Sequence, residues 1–315
     1  MTWSTGSWPT IGPASSGVIE PPVPEPPVTG RPVTWRALLA ETSTLLDAPD
    51  ALRVVQRASG NEGADWLLGL DGSAPRPALA HLDAMVARRR AGEPLQYVLG
   101  CWGFRTLDPY LDRRVLIPRP ETEQVVEVAL DELRRLASGG DLRERSFTVA
   151  DLGTGSGAIA LSLAVEVVTA AVWATDRSGA ALAVARANLA GLGRPGARVR
   201  LAQGDWFAAL PCELVGTLDL VVANPPYVAA GESLPPEVAD WEPAGALVAG
   251  PSGFEALAPI VAEAPAWLHV GGSLVLELAP AQADAVTGLA RDAGFADVEV
   301  RPDLAGRPRA LVARR

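Results

Sequence analysis

The chain has 315 residues, 48% hydrophobic and 20% charged, an ordinary soluble composition with room for one large or two medium domains. Its net charge of −10 counts against a protein that holds nucleic acid or a membrane surface through a cationic field. Two cysteines, Cys101 and Cys212, and two histidines, His81 and His269, give neither a disulfide framework nor metal-ligand spacing, so no metal site is expected.

Residues 1–30 are rich in Pro, Gly, Ser and Thr and bury too little apolar surface to offset ordering, so a disordered or polyproline tail is expected there. From Trp35 apolar residues recur at three and four spacing. The pattern predicts helices over Trp35 to Leu46, Asp47 to Ser59, Gly63 to Leu70 and Arg76 to Arg90, a small helical domain over residues 31–92. Arg88-Arg89-Arg90 reads as a solvated helix end favoured by the helix dipole, with Ala91-Gly92 as the stop. Residues 93–123 lose the helical period and carry Trp102, Phe104 and Tyr110, which predicts short strands or a hairpin and then a stiff connector, Leu116-Ile117-Pro118-Arg119-Pro120-Glu121-Thr122-Glu123. Glu121 or Thr122 opens a helix to about Leu136, broken by Ser138-Gly139-Gly140.

The remaining residues, 124–315, form the larger domain. From Phe147 onward strands and helices alternate. Strands are predicted at Phe147–Ala150, Ala171–Ala174, Ala197–Ala202, Leu218–Ala223, Ser273–Leu278, Ala296–Arg301 and Arg309–Val312. Helices are predicted between most of them, at Ala158–Val168, Ala180–Leu192, Phe254–Leu268 and Gln282–Ala293. This alternation predicts an α/β fold with a mostly parallel, doubly wound sheet. No stretch is long and apolar enough to span a bilayer and no charged-then-apolar leader opens the chain, so the cytoplasm is the expected compartment.

Open α/β sheets bind ligands at the carboxyl ends of their strands, and four such ends carry chemistry. Asp151-Leu152-Gly153-Thr154-Gly155-Ser156-Gly157 ends the first strand, where bare backbone and a helix N-terminus suit close approach to a ligand. Gly153, Gly155 and Ala158 also satisfy a dinucleotide fingerprint, so this loop alone leaves the cofactor open. Asp176 ends the second strand, where a carboxylate accepts ribose hydroxyls. Asp205 and Trp206 end the third, an acid and a broad ring where an adenine would lie. The fourth end is Asn224-Pro225-Pro226-Tyr227. Its prolines stop the strand and hold Asn224 extended, leaving the Asn224 side-chain carbonyl, the Pro225 main-chain carbonyl and the Tyr227 ring together. Two carbonyls beside a flat ring suit a planar NH2 group. A nicotinamide enzyme needs a hydride partner instead, so S-adenosylmethionine with a nitrogen nucleophile fits this end better than NAD.

On these residues the chain resembles the HemK/PrmC family, the release-factor glutamine methyltransferases, over roughly residues 35–315. The resemblance rests on Arg88-Arg89-Arg90-Ala91-Gly92-Glu93-Pro94-Leu95-Gln96-Tyr97, the connector Leu116 to Glu123, Asp151 to Gly157, Gly204-Asp205-Trp206-Phe207, Asn224 to Tyr227, Glu242-Pro243 with Ala246-Leu247, and Asp303 to Arg307. It implies a Rossmann-like S-adenosylmethionine-dependent methyltransferase sheet preceded by a helical domain that docks the protein substrate, a peptide chain release factor. It also implies cofactor contacts at Asp151, Gly153, Thr154, Gly155, Ser156, Gly157, Asp176, Asp205, Trp206 and Asn224. Catalysis is expected at Asn224, Pro225 and Tyr227, and glutamine binding at Asn224, Pro225, Pro226 and Tyr227 with Phe104 as a pocket wall. A monomer is expected. The chain departs from the family pattern at Glu277-Leu278-Ala279-Pro280-Ala281-Gln282, where alanine stands at the usual glycine position and puts the loop shape in question. A ribosomal-protein glutamine methyltransferase, an N6-adenine methyltransferase and a non-catalytic cofactor-binding scaffold stay open as alternatives.

Overall fold

Between Val33 and Ser138 and between Asp141 and Arg315 the chain is described by a computed structural model; the tail expected over residues 1–30 lies outside these residues, as do Gly139 and Gly140. Four helices come first: α1 (Trp35–Thr42), α2 (Ala48–Ser59), α3 (Gly63–Gly69) and α4 (Arg76–Arg90). The Thr34 side chain caps α1 at Ala37 N–H and Asp47 caps α2 at Asp50 N–H, which satisfies donors that have no partner inside the helix. Trp35, Leu38, Val54, Val55, Trp66, Leu82 and Met85 close into one apolar cluster.

The arginine run at the end of α4 is only partly a solvated end: Arg88 and Arg90 are exposed, but Arg88 and Arg89 are also tied to neighbouring segments. Arg88 grips Glu93 through two bonds of 2.9 and 2.7 Å and also donates to the carbonyls of Tyr97 and Val98. Arg89 pairs with Asp50 and, at 2.6 Å, with Glu237 of the larger unit. Beyond Glu93 and Pro94 the segment Arg88 holds is helical, not extended. Leu95–Leu99 forms a short helix, α5, ended by Gly100 at φ 74°. Its Leu95 and Val98 complete the cluster of the first four helices. Tertiary packing overrides the weak local pattern there. Hairpin character survives only beyond it, as single bridges joining Cys101 to Tyr110 and Phe104 to Leu107.

Helix α6 (Pro120–Leu136) starts with proline at its first position, where a missing N–H costs nothing. Then come β1 (Phe147–Leu152), α7 (Ala158–Glu166), β2 (Ala170–Asp176), α8 (Gly179–Gly191), β3 (Val199–Gln203) and β4 (Leu218–Ala223). After β4 lie β5 (Val228–Ala229), α9 (Pro236–Ala239), α10 (Ala244–Leu247) and β6 (Val248–Gly250), followed by α11 (Leu257–Trp267), β7 (Leu268–Glu277), α12 (Ala283–Asp292), β8 (Asp297–Pro302) and β9 (Pro308–Arg314).

Among the described residues, seven of these strands form one sheet in the order β3-β2-β1-β4-β7-β9-β8, parallel throughout except that β9 runs against both neighbours. Strand β4 is buried at all six positions, and from Leu220 to Ala223 its side chains alternate between two cores. Leu220 and Val222 face a cluster that includes Val125, Val126 and Leu130 of α6 with Ile159 and Leu163 of α7. Val221 and Ala223 face one that includes Leu257 and Ile260 of α11 with Val286 of α12. The doubly wound sheet is the one that strand–helix alternation predicts. The small parallel pair β5–β6 was not anticipated, because strands of two and three residues carry no readable period.

At the end of the sheet away from the strand C-termini, the Glu132 carboxylate of α6 accepts from Arg314, Arg135 and Ser273. Burial opposes its ionisation, yet those hydrogen bonds outweigh burial and hold the carboxyl down at about 2. A carboxyl depressed by folding stabilises the fold above its unfolded pKa, and that contribution fades as pH falls through the folded value. Glu132→Gln is therefore expected to lower the melting temperature at pH 7 by about 2–4 °C, the shift that ~1 kcal/mol gives in a domain of this size. The gap should narrow between the usual glutamate range and pH 2, as thermal melts at a series of pH values would show.

Candidate active site

A cavity of about 340 Å³ opens at the carboxyl ends of β1, β2, β3 and β4, at the point where the strand order reverses. The β1–α7 loop forms its floor. Asp151 lies beneath that floor and is fully buried; one oxygen accepts from Thr154 Oγ1 at 2.6 Å and from Ala160 N–H at 3.1 Å, while the other has no partner. Burial pushes this carboxyl up to about 7, against those two hydrogen bonds. Asp151 thus braces the loop and does not line the cavity. Gly157 is also behind the floor, where an added Cβ would come within 3.2 Å of Leu161. Gly153, Thr154, Gly155 and Ser156 do line it. At Gly153 the backbone is left-handed and an added Cβ would come within 3.1 Å of the Trp206 ring, so only glycine lets that ring close over the loop.

Asp176 lines the next wall. One carboxylate oxygen accepts from Gly155 N–H at 2.9 Å and the other from Ser178 N–H at 2.8 Å. The acid therefore ties the loop to β2 and keeps lone pairs free for hydroxyl donors. Asp205 and Trp206 line the third wall, Asp205 exposed and Trp206 half-buried. Trp206 sits at φ 41°, a left-handed conformation that costs a non-glycine residue of order 1–3 kcal/mol and is typically kept at functional sites.

The fourth wall is Asn224 with Pro226. Asn224 Nδ2 donates to Thr122 Oγ1 at 3.1 Å, so its side-chain carbonyl is left for the cavity. Thr122 in turn donates to Glu277 Oε2 at 2.8 Å. Pro225 is buried and accepts no hydrogen bond at its carbonyl from the described residues. Tyr227 is half-buried against the α11 core, with its hydroxyl 3.5 Å from Glu277 Oε1, and neither it nor Pro225 is among the residues lining the cavity. Gln282 clamps the same stretch from behind. Its Nε2 donates to the carbonyls of Tyr227 at 3.1 Å and Gly253 at 3.0 Å, and its Oε1 accepts from Ala279 N–H. Ala279 itself has φ −73°, so alanine fits there without strain and the departure from the glycine pattern leaves the loop intact.

The connector borders the same cavity. Val115, Leu116 and Pro118 line it, and the buried Glu242 holds them in place by accepting from Ile117 N–H at 3.0 Å and from Arg119. Among the described residues, no three His, Cys, Asp or Glu side chains are arranged to hold a metal ion, and no helix is long and apolar enough to cross a membrane.

Residues 34–100 match the PrmC N-terminal domain, and residues 136–239 match the methyltransferase small domain. A release factor glutamine methyltransferase from Cereibacter sphaeroides is 43% identical over 272 residues, 85% of this chain and 91% of that protein. Its counterpart from Burkholderia pseudomallei is also 43% identical over 272 residues, 84% of this chain and 91% of that one. The one from Bordetella pertussis is 45% identical over 243 residues, covering 76% and 85%. The chain belongs to the release factor glutamine methyltransferase family.

Within this methyltransferase the strand-end acids and glycines predicted from sequence converge on one cavity, with Asp151 and Gly157 one layer behind it. Phe104 does not join them. It is 1% exposed and packs in the core with Val125 and Val126 of α6, so it is unavailable as a pocket wall. Conversely, Thr122, Glu277, Gln282 and Glu242 take part in shaping the site without having been singled out as site residues. Thr122 and Glu242 sit in stretches that resemble the family and Glu277 and Gln282 in the one that departs from it, but a hydrogen-bonding role across 29 to 155 residues of chain leaves no local signal.

Proposed function

We propose that this methyltransferase moves the methyl group of S-adenosylmethionine to the side-chain amide nitrogen (N5) of a glutamine in peptide chain release factors, acting as a cytoplasmic monomer. The observation that carries the reading is Asn224, held at the cavity with its amide nitrogen committed to Thr122 and its carbonyl free.

The cavity is within the usual size range of small-ligand sites, and its lining fits the cofactor. Asp176 retains acceptor capacity for ribose hydroxyls, Trp206 offers a broad ring, Ala158 and Ile159 are apolar, and Gly153 to Ser156 present bare backbone. When bound, the cofactor supplies an electrophilic methyl on a sulfonium. The work of the protein is positioning. An amide nitrogen is a poor nucleophile because its lone pair is delocalised into the carbonyl. Asn224 Oδ1, at the cavity, is assigned one N–H and the carbonyl of Pro225, just behind the lining and without a donor among the described residues, the other; together they fix the NH2 and favour lone-pair character on nitrogen as the transition state forms. Tyr227, adjoining this pair of acceptors, is assigned the stacking face.

Incubation with labelled S-adenosylmethionine and purified release factors, a ribosomal protein and DNA, read by mass spectrometry, tests the reading. Methylated glutamine in a release factor supports it; label only in the ribosomal protein or in adenine overturns it.

We assign residues 31–92 to substrate docking. Deleting them is a poor test, because Leu95, Val98, Leu99 and Trp102 would lose the cluster they complete. Helix α3 instead offers two surface leucines, Leu67 at 67% and Leu68 at 85% exposed. Leu67→Asp with Leu68→Asp is expected to raise KM for a whole release factor about tenfold, the ~1.4 kcal/mol scale of a contributing interface contact. A short glutamine peptide should be methylated as before. Equal effects on both substrates would remove the docking role from α3.

A further inference from the structure

We propose that Thr122 and Glu277 are positioning residues that set which way the Asn224 side-chain amide points, so that it offers the cavity an acceptor and not a donor. The proposal rests on the amide-methylating reading above. An asparagine amide is nearly symmetric in shape, and rotating it by half a turn exchanges C=O for NH2 with little steric consequence. In this site the two orientations are opposite in effect, because an NH2 presented to a substrate NH2 sets donor against donor.

The relay removes that choice. Glu277 ends β7 and is 1% exposed, and no arginine among the described residues forms a salt bridge with it. An ionised carboxylate only accepts. Thr122 Oγ1 has a single proton, and at 2.8 Å it gives it to Glu277 Oε2. The Thr122 oxygen can then only accept, and what faces it at 3.1 Å is Asn224. Asn224 must present its NH2 to Thr122 and hence its carbonyl to the cavity. The three residues come from the connector helix, the C-terminal end of β4 and the end of β7. Glu277 Oε1 also lies 3.5 Å from the Tyr227 hydroxyl, so one buried carboxyl reaches both ends of the Asn224–Tyr227 stretch. A plain structural tie between α6 and β7 would need neither the Asn224 bond nor a charge, and an unpaired buried carboxylate is a costly way to make one.

Burial pushes the Glu277 carboxyl up to about 7; Thr122, Arg309 on β9 and the Tyr227 hydroxyl favour its ionised form, and Glu121 on α6 opposes it. Below that pH the protonated acid can donate, the Thr122 proton is freed, and the amide is no longer held one way.

The test compares wild type, Thr122→Val, Thr122→Ser and Glu277→Gln in release-factor methylation, with cofactor affinity measured alongside. Thr122→Val is expected to lower kcat about tenfold, the upper end of what one neutral hydrogen bond supplies. Cofactor affinity should change much less than kcat, and Thr122→Ser should restore most of the rate. Wild-type kcat should fall below about pH 7, and that step should vanish in Glu277→Gln. A second readout needs no ligand: the side-chain NH2 resonance of Asn224 in ¹⁵N-labelled protein, identified by its loss in Asn224→Ala. It should shift in Thr122→Val and titrate near pH 7 in wild type but not in Glu277→Gln. Wild-type kcat in a folded Thr122→Val, or an Asn224 resonance indifferent to Thr122, overturns the relay. Should Thr122→Val not fold, the wild-type and Glu277→Gln titrations decide, and a flat wild-type titration overturns it. If wild type methylates no glutamine, the reading of function falls instead, and the resonance comparison still decides whether the relay orients Asn224.

Discussion

Asn224→Ala is expected to lower the rate of methyl transfer about 10²–10³-fold, the cost of removing one oriented partner of a transition state in other enzymes. It deletes the free carbonyl at the cavity, while Pro225 and Pro226 keep the backbone course. Thr122 loses the amide that donates to it but keeps its own bond to Glu277, so no buried proton is stranded. Folding should survive because the side chain lines a cleft. KM for S-adenosylmethionine should rise as well, since Asn224 lines the same cavity as the residues assigned to the cofactor. Tyr227→Phe should be milder, because the hydroxyl reaches Glu277 only at 3.5 Å and stacking needs the ring. Single-turnover methylation of a release factor measures both variants. Wild-type transfer by a folded Asn224→Ala would end the amide-holding role of this stretch.

The second large effect is expected at Asp176. Asp176→Ala should weaken S-adenosylmethionine binding about 10–100-fold, since a hydrogen bond to a charged group is worth ~1.5–3 kcal/mol. Part of that loss would come through the loop, because Asp176 also accepts from Gly155 N–H. Asp176→Asn separates the two contributions: it keeps the size and one acceptor oxygen but loses the charge. Calorimetry on the folded variants gives the affinities. Unchanged affinity in Asp176→Ala would take the acid out of the cofactor site, and NAD bound at comparable affinity would revive a dehydrogenase reading.

Much of the site was legible because its parts are local. A six-residue buried strand followed by an asparagine and two prolines can be read without knowing what surrounds it, and β4 begins and ends where the pattern puts it. The acids and glycines at the other strand ends follow from the same alternation, since side chains at the carboxyl ends of parallel strands meet at one edge whatever the loops do. Where local signals were weak, packing decided. Leu95–Leu99 is helical because Gly100 ends a single turn whose apolar side fits the cluster of the first four helices. Phe104 was drawn to the pocket on paper and to the α6 core in the fold, since an aromatic residue carries no label for which cavity it fills.

By itself the sequence determined the doubly wound sheet, the glycine loop and the four chemistry-bearing strand ends, because each is written in the alternation of strands with helices or in a few contiguous residues. Only the tertiary structure decided which residues stand at the cavity and which stand behind it. It put Asp151 beneath the loop, allowed Ala279 where a glycine is usual by giving it an ordinary φ of −73°, and turned the Asn224 amide through Thr122 and Glu277. Those last three residues are separated by 102 and 155 positions along the chain. Their meeting depends on β4 lying beside β7 with α6 across them, and on a hydroxyl having one proton to give. Neither is a property of any short stretch of sequence.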